Sequence, residues 1–114
     1  MNKLILISAG LLMLPGCATT MSNPATLGTE ANPVRVNMPQ GERAYLDRLR
    51  CSDGSAPAYD RDGSVGPGRD GHILDLYTVT CQGAEPATSS VYMDMYHGDG
   101  EDRPLPNFTI VPAA

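Results

Sequence analysis

Apolar residues fall along this chain in one continuous run, then thin out, then return with helical and finally with strand spacing. Leu4 to Leu14 is almost wholly apolar and ends at Pro15-Gly16. Residues 18–33, ATTMSNPATLGTEANP, mix small polar residues and proline with no apolar period, which is the composition of a flexible linker. From Gln40 to Arg50, Tyr45, Leu46 and Leu49 form an apolar stripe at helical spacing, and Pro39 suits a first-turn position. A strand through Tyr45, Asp47, Leu49 and Cys51 would mix polarity on one face, so a helix is predicted. Residues 51–71, CSDGSAPAYDRDGSVGPGRDG, are turn-rich and predict loops with at most a short strand over Ala58 to Arg61. Two strands follow. His72 to Cys81 carries Ile73, Tyr77, Val79 and Cys81 in twos, with Asp75 the exception. Ser89 to His97 alternates Val91, Met93 and Met95 with Tyr92, Asp94 and Tyr96. Gln82 to Thr88 joins the two as a hairpin, and Asn107 to Val111 reads as a short edge strand. The predicted fold is α+β, with one N-terminal helix packed on a small antiparallel sheet of three or four strands.

The apolar run is preceded by Lys3 and is too short to cross a membrane, which takes about 20 apolar residues; it has the layout of a secretory signal. Leu14, Gly16 and Cys17 resemble the bacterial lipoprotein signal, in which an apolar residue three before the cysteine, a tolerant position and a small residue precede the modified thiol. The resemblance implies that residues 1–16 are removed and that Cys17 becomes the lipidated N-terminus. Residues 17–33 would then be a tether and 34–114 a periplasmic domain. With two or three acyl chains, at about 0.8 kcal/mol per buried methylene, such an anchor holds firmly. Ala18 stands where Asp would favour retention in the inner membrane of enteric-type bacteria, so the resemblance points to the outer membrane. The unmodified alternative for Cys17 is a free or disulfide-bonded thiol behind an ordinary signal peptide.

Loss of residues 1–16 removes the only lysine and leaves seven arginines against thirteen acidic residues. An acidic chain without a basic run is poorly suited to nucleic acid. With Cys17 lipidated, Cys51 and Cys81 are left as an even pair, most simply a disulfide in an oxidising compartment. The segments GERAYLDRLRC, GHILDLYTVTC and VYMDMYH resemble those of small proteobacterial envelope lipoproteins for which no activity is established. That resemblance implies a location only.

Three features invite a functional reading. Met93, Met95 and His97 lie on one face of a strand, and thioethers with an imidazole suit Cu(I); the competing account is that both methionines pack the core. On the other face, Tyr92, Asp94 and Tyr96 form a partner surface, or else a half-buried face in which Asp94 pairs with Arg48 or Arg50. The acidic loops at Asp60 to Gly63 and His97 to Asp102 lack the ordered carboxylates of a calcium loop. The loop GSVGPG, 63–68, lacks the lysine of a phosphate-binding loop. With His72 and His97 the only histidines and no nucleophile motif, no catalytic residue and no cofactor are assigned.

The expectation is therefore an outer-membrane lipoprotein, not an enzyme, that acts as a binding or structural module of the envelope. It would touch the membrane through Cys17 and an envelope protein through Tyr92, Asp94 and Tyr96. An alternative is a periplasmic inhibitor of an envelope-directed enzyme such as lysozyme. Tyr77 to Cys81 is similar to the tyrosine-near-cysteine strand of small anchored inhibitors, although the serine-glycine-tyrosine loop of that family is missing here.

Overall fold

The computed structural model describes residues 23–113. Cys17, the signal segment and the first part of the tether lie outside the described residues. Among these residues no helix is long and apolar enough to cross a membrane.

One helix and six strands follow a short 3-10 turn at Pro24–Thr26: β1 (Val34–Arg35), α1 (Met38–Arg48), β2 (Leu49–Arg50), β3 (Ala58–Pro67), β4 (Ile73–Thr80), β5 (Thr88–Asp94) and β6 (Thr109–Ile110). The main sheet has four strands in the order β1-β5-β4-β3. It is mixed rather than antiparallel, because β1 runs parallel to β5 with Val34 opposite Met93. The α+β class stands, and the direction of this edge strand corrects the all-antiparallel expectation. Nothing in the two-residue β1 signals its direction, which is fixed by where β5 leaves room for it.

The core lies between α1 and one face of the sheet. Tyr45, Leu46 and Leu49 are buried against Tyr77 and Val79 of β4 and Val91 and Met93 of β5, as the apolar spacing requires. α1 begins at Met38, with Pro39 in its first turn, and stops at Arg48, two residues short of the expected end. Leu49 and Arg50 instead turn into β2, which pairs with β6 (Leu49 opposite Ile110) as a separate two-stranded sheet. The last strand thus caps the helix end and does not extend the main sheet. Tyr45 fixes this side by donating its hydroxyl hydrogen to the Arg103 carbonyl at 2.7 Å.

The segment from Asn23 to Pro33, expected to be tether, is packed onto the domain. Leu27 is buried in the core, and the Asn32 side chain donates to the Asn23 carbonyl at 2.9 Å. A single leucine in a polar stretch carries no periodic signal, yet it is enough to seat the segment.

β3 is ten residues long where only a short strand was expected. Its side chains are mostly exposed, so no apolar alternation marks it. Backbone pairing to β4 holds it, with bulges after Arg61 and Val65, and Gly63 takes a positive φ of 142° at the first of these. Polar ties add to the ladder. Thr78 donates to Asp62 at 2.7 Å, and Arg61 forks onto the buried Asp75 at 3.0 and 3.2 Å. A charged, bulged edge strand also resists pairing with other chains.

Cys51 and Cys81 are joined in a disulfide, with Cα atoms 5.8 Å apart and both residues buried in the core cluster. The bond links the chain just after β2 to the chain just after β4. The polar β3 hairpin is thereby closed at its base.

Candidate functional site

Asp94 ends β5 on the face opposite the core. The strand partner there is β1, and the Val36 N–H donates to the Asp94 carbonyl at 2.9 Å. Beyond the strand the chain bends over its own carboxylate, the Tyr96 N–H donating to Asp94 Oδ1 at 3.0 Å. Such a bond from an Asp side chain to the backbone two residues on defines an Asx turn. The His97 N–H then donates to the Val36 carbonyl at 3.1 Å, which returns the imidazole to Asp94.

The other wall is the turn between β3 and β4. The Gly68 N–H donates to the His72 carbonyl at 2.8 Å and the Gly71 N–H to the Gly68 carbonyl at 3.0 Å, with Gly71 at a φ of +87°. Gly68 presses on Leu74 so closely that a Cβ there would stand 2.7 Å from the leucine methyl carbon. The close approach folds the turn over the sheet and brings Asp70 and His72 to the end of β5. Arg35 of β1 fixes Asp70 by a 2.6 Å bond from Nε to Oδ2.

Four side chains converge. His72 Nδ1 lies 2.8 Å from Asp94 Oδ2 and 3.0 Å from Oδ1. His97 Nε2 lies 3.1 Å from Asp94 Oδ2 and 3.0 Å from Asp70 Oδ2. These last two separations are within ion-pair reach. Nε2, shielded from solvent, makes no hydrogen bond. Asp94 has no exposed surface, whereas the side chains of His72 and His97 are 35% and 27% exposed. Tyr96 leans over His72 with ring centroids 5.4 Å apart, and the two imidazoles meet edge to face at 5.3 Å. The Arg35 guanidinium bonded to Asp70 holds that carboxyl below the usual range, against its partial burial, and His97 adds to the effect.

Of the partner surface expected at Tyr92, Asp94 and Tyr96, the structure leaves Tyr96 half exposed and Tyr92 partly so, and puts Asp94 beneath them. Asp94 pairs with neither Arg48 nor Arg50. Arg48 bonds to Asp102 and to the Val111 carbonyl, and Arg50 to the carbonyls of Asp47 and Leu49. Of the Met93, Met95 and His97 set, Met93 is wholly buried in the core and Met95 packs against it, while His97 turns to the two carboxylates.

His72 and Asp70 were not joined to this site from the sequence. The signal was in the hairpin register, since continuing the pairing of Asp75 with Met93 brings His72 opposite Tyr96. Strand alternation put His97 on the face opposite Asp94; it reaches the carboxylate because β5 ends at Asp94 and the chain bends there in the Asx turn.

A second buried polar group sits on the core side. Glu42 of α1, 1% exposed, accepts a hydrogen bond from the Tyr77 hydroxyl at 3.1 Å. Burial first, then the adjacent Asp75 carboxylate, pushes its pKa up to about 7, against the pull of Tyr77 and Arg61. Glu42, Asp75 and Tyr77 are all buried, and this cluster is part of the packing between helix and sheet.

No family model, curated protein or solved structure matches the chain.

Proposed function

We propose that the chain is a lipid-anchored binding module of the cell envelope. It would be held at the outer membrane through Cys17, face the periplasm, and engage its partner or ligand at the end of β5. The observation that carries the binding reading is Asp94, a carboxylate with no exposed surface, surrounded by imidazoles under an exposed tyrosine. A buried carboxylate is costly to a small domain and needs partners of its own, so three chain segments converging on it favour a functional role over a packing one. The compartment is supported by the Leu14-Pro15-Gly16-Cys17 pattern and by the Cys51–Cys81 disulfide, which suits an oxidising environment.

Mass spectrometry of the mature N-terminus tests the anchor: a diacylglyceryl-modified, N-acylated Cys17 is expected, and an unmodified cysteine would overturn it. Cross-linking in intact envelopes, comparing the native chain with Tyr96→Ala, tests the surface. The binding surface is elsewhere if capture of envelope proteins is identical for the two.

A further inference from the structure

We propose that His72, Asp94 and His97 form a binding site for a divalent transition-metal ion of the zinc class. The proposal rests on reading the end of β5 as the binding site and is independent of the lipid anchor.

The donor atoms have the right identity and spacing. One atom from each of the three residues lies within 4.8 Å of the other two. In a tetrahedral zinc site with bonds of about 2.0 to 2.2 Å, neighbouring donors stand roughly 3.3 to 3.6 Å apart. Here the two ring nitrogens are 2.8 and 3.1 Å from Asp94 Oδ2. An ion would spread the two nitrogen–oxygen pairs by roughly 0.2 to 0.8 Å, on the order of ordinary thermal displacement, with the two ring nitrogens already within 4.8 Å of each other.

Orientation argues the same way. His97 Nε2 is buried and makes no hydrogen bond although two carboxylate oxygens lie within 3.1 Å. A buried polar atom left in that state is costly. The ring nitrogen lies within 3.1 Å of each carboxylate oxygen with no hydrogen bond between them, as donors gathered around a cation do. The partners of Asp94 are two imidazoles and the Tyr96 N–H, none of which carries a fixed positive charge. A divalent ion supplies that charge.

The surroundings orient the donors. Tyr96 N–H occupies Oδ1 of Asp94, leaving Oδ2 as the oxygen that faces both rings. Arg35 fixes Asp70 beside His97, where its carboxylate can support the bound ion or its water. Two imidazoles with a carboxylate select against magnesium and calcium, which take oxygen donors. Copper(I) prefers thioethers, and Met93 is sealed in the core. Partial exposure of both histidines leaves the site open to exchange.

The alternative is a cluster with no metal, in which the two imidazoles and Asp94 are held by their mutual polar contacts alone. Titration of the tag-free, detergent-solubilised full chain with zinc chloride, followed by NMR of histidine-labelled protein, separates the two. The chain has only two histidines, so both rings can be read directly. Both sets of ring resonances should shift with one equivalent of zinc, at a Kd of about 10 μM or tighter. His72→Gln and His97→Gln should each weaken binding by at least about tenfold, the usual order for losing a ligand or its support. Unmoved ring resonances, or stoichiometric binding that survives both substitutions, would overturn the proposal. If a variant misfolds, the ring shifts in the native chain decide alone. Failure to bind zinc, with Tyr96-dependent envelope capture intact, removes the metal and leaves the binding reading standing.

Discussion

Tyr77 of β4 and Glu42 of α1 are joined by a buried hydrogen bond of 3.1 Å across the interface between sheet and helix. The other Glu42 oxygen, Oε2, is buried without a donor to serve it. A proton on the carboxyl resolves this, because Oε2 can then donate to the neighbouring Asp75 carboxylate. Burial and Asp75 raise the Glu42 pKa from 4.5 to about 7 in the folded chain.

The sign of the pH effect follows. Between pH 4.5 and about 7 the folded state holds a proton on Glu42 that the unfolded state has lost, so stability falls as pH rises through this window. The full effect of such a shift is up to about 3 kcal/mol. Glu42→Gln keeps an acceptor for Tyr77 and supplies a permanent donor toward Asp75. Urea denaturation at mildly acidic and mildly alkaline pH should show a falling midpoint for the native chain and a nearly flat one for Glu42→Gln. At alkaline pH the variant should be the more stable by about 1 to 3 kcal/mol. Asp75 acts with the opposite sign. Burial would raise it, but the Arg61 fork, Glu42 and Ser64 hold it below its ordinary value, so its contribution is lost as acid titrates it.

Asp94 accepts from the Tyr96 N–H, hydrogen-bonds with the His72 imidazole, lies 3.1 Å from His97 Nε2 and has no exposed surface. Asp94→Ala strands the His72 ring and the Tyr96 N–H and should lower stability by roughly 2 to 4 kcal/mol in urea. Asp94→Asn keeps the acceptor for Tyr96 and should cost less than the alanine change. Equal midpoints for the two variants would mean that the Asx turn contributes nothing to the fold.

The elements legible in the sequence are those whose side chains alternate or cycle in hydrophobicity. Tyr45, Leu46 and Leu49 announce α1, and Val79, Val91 and Met93 announce the two central strands, because each set must reach a shared core. β3 was largely illegible, since an edge strand with both faces wet has no reason to alternate. The direction of β1 and the docking of Leu27 depend on space left by elements distant in the sequence. The candidate site was half legible: Asp94 and Tyr96 share a strand face, while His97, expected on the other face, joins them through the turn after Asp94, and His72 only once the hairpin register is known. Asp75 and Glu42 show the same limit, as charged residues that enter the core because Arg61, Tyr77 and one another await them there.

The Cys51–Cys81 bond closes a loop of sequence separation 30 around the least apolar part of the domain. In the chain-entropy account a loop of that size stabilises by about 3.6 kcal/mol. Replacing both cysteines with alanine should lower the unfolding free energy by about that amount, read from the urea midpoint. The same loss should follow reduction of the native chain. A loss below about 1 kcal/mol would mean that the β3 hairpin is held by its polar ladder alone, well under the usual effect of a native disulfide.

Gly68 tests how the turn that carries Asp70 and His72 is held. Its missing side chain allows backbone to lie on Leu74, whose Cγ and two methyl carbons would all be 2.7 to 2.8 Å from a Cβ. Leu74 has no exposed surface and so no free direction in which to swing. Gly68→Ala therefore requires the turn to lift, and an overpacking cost of about 1 to 3 kcal/mol is expected. The lift would also draw His72 away from Asp94, so the His72 ring resonances should move in the variant. In a Leu74→Ala background the added methyl meets open space, and the cost of Gly68→Ala should largely vanish. An undiminished cost in that double mutant would show that the turn is set by its own backbone bonds and not by contact with the sheet.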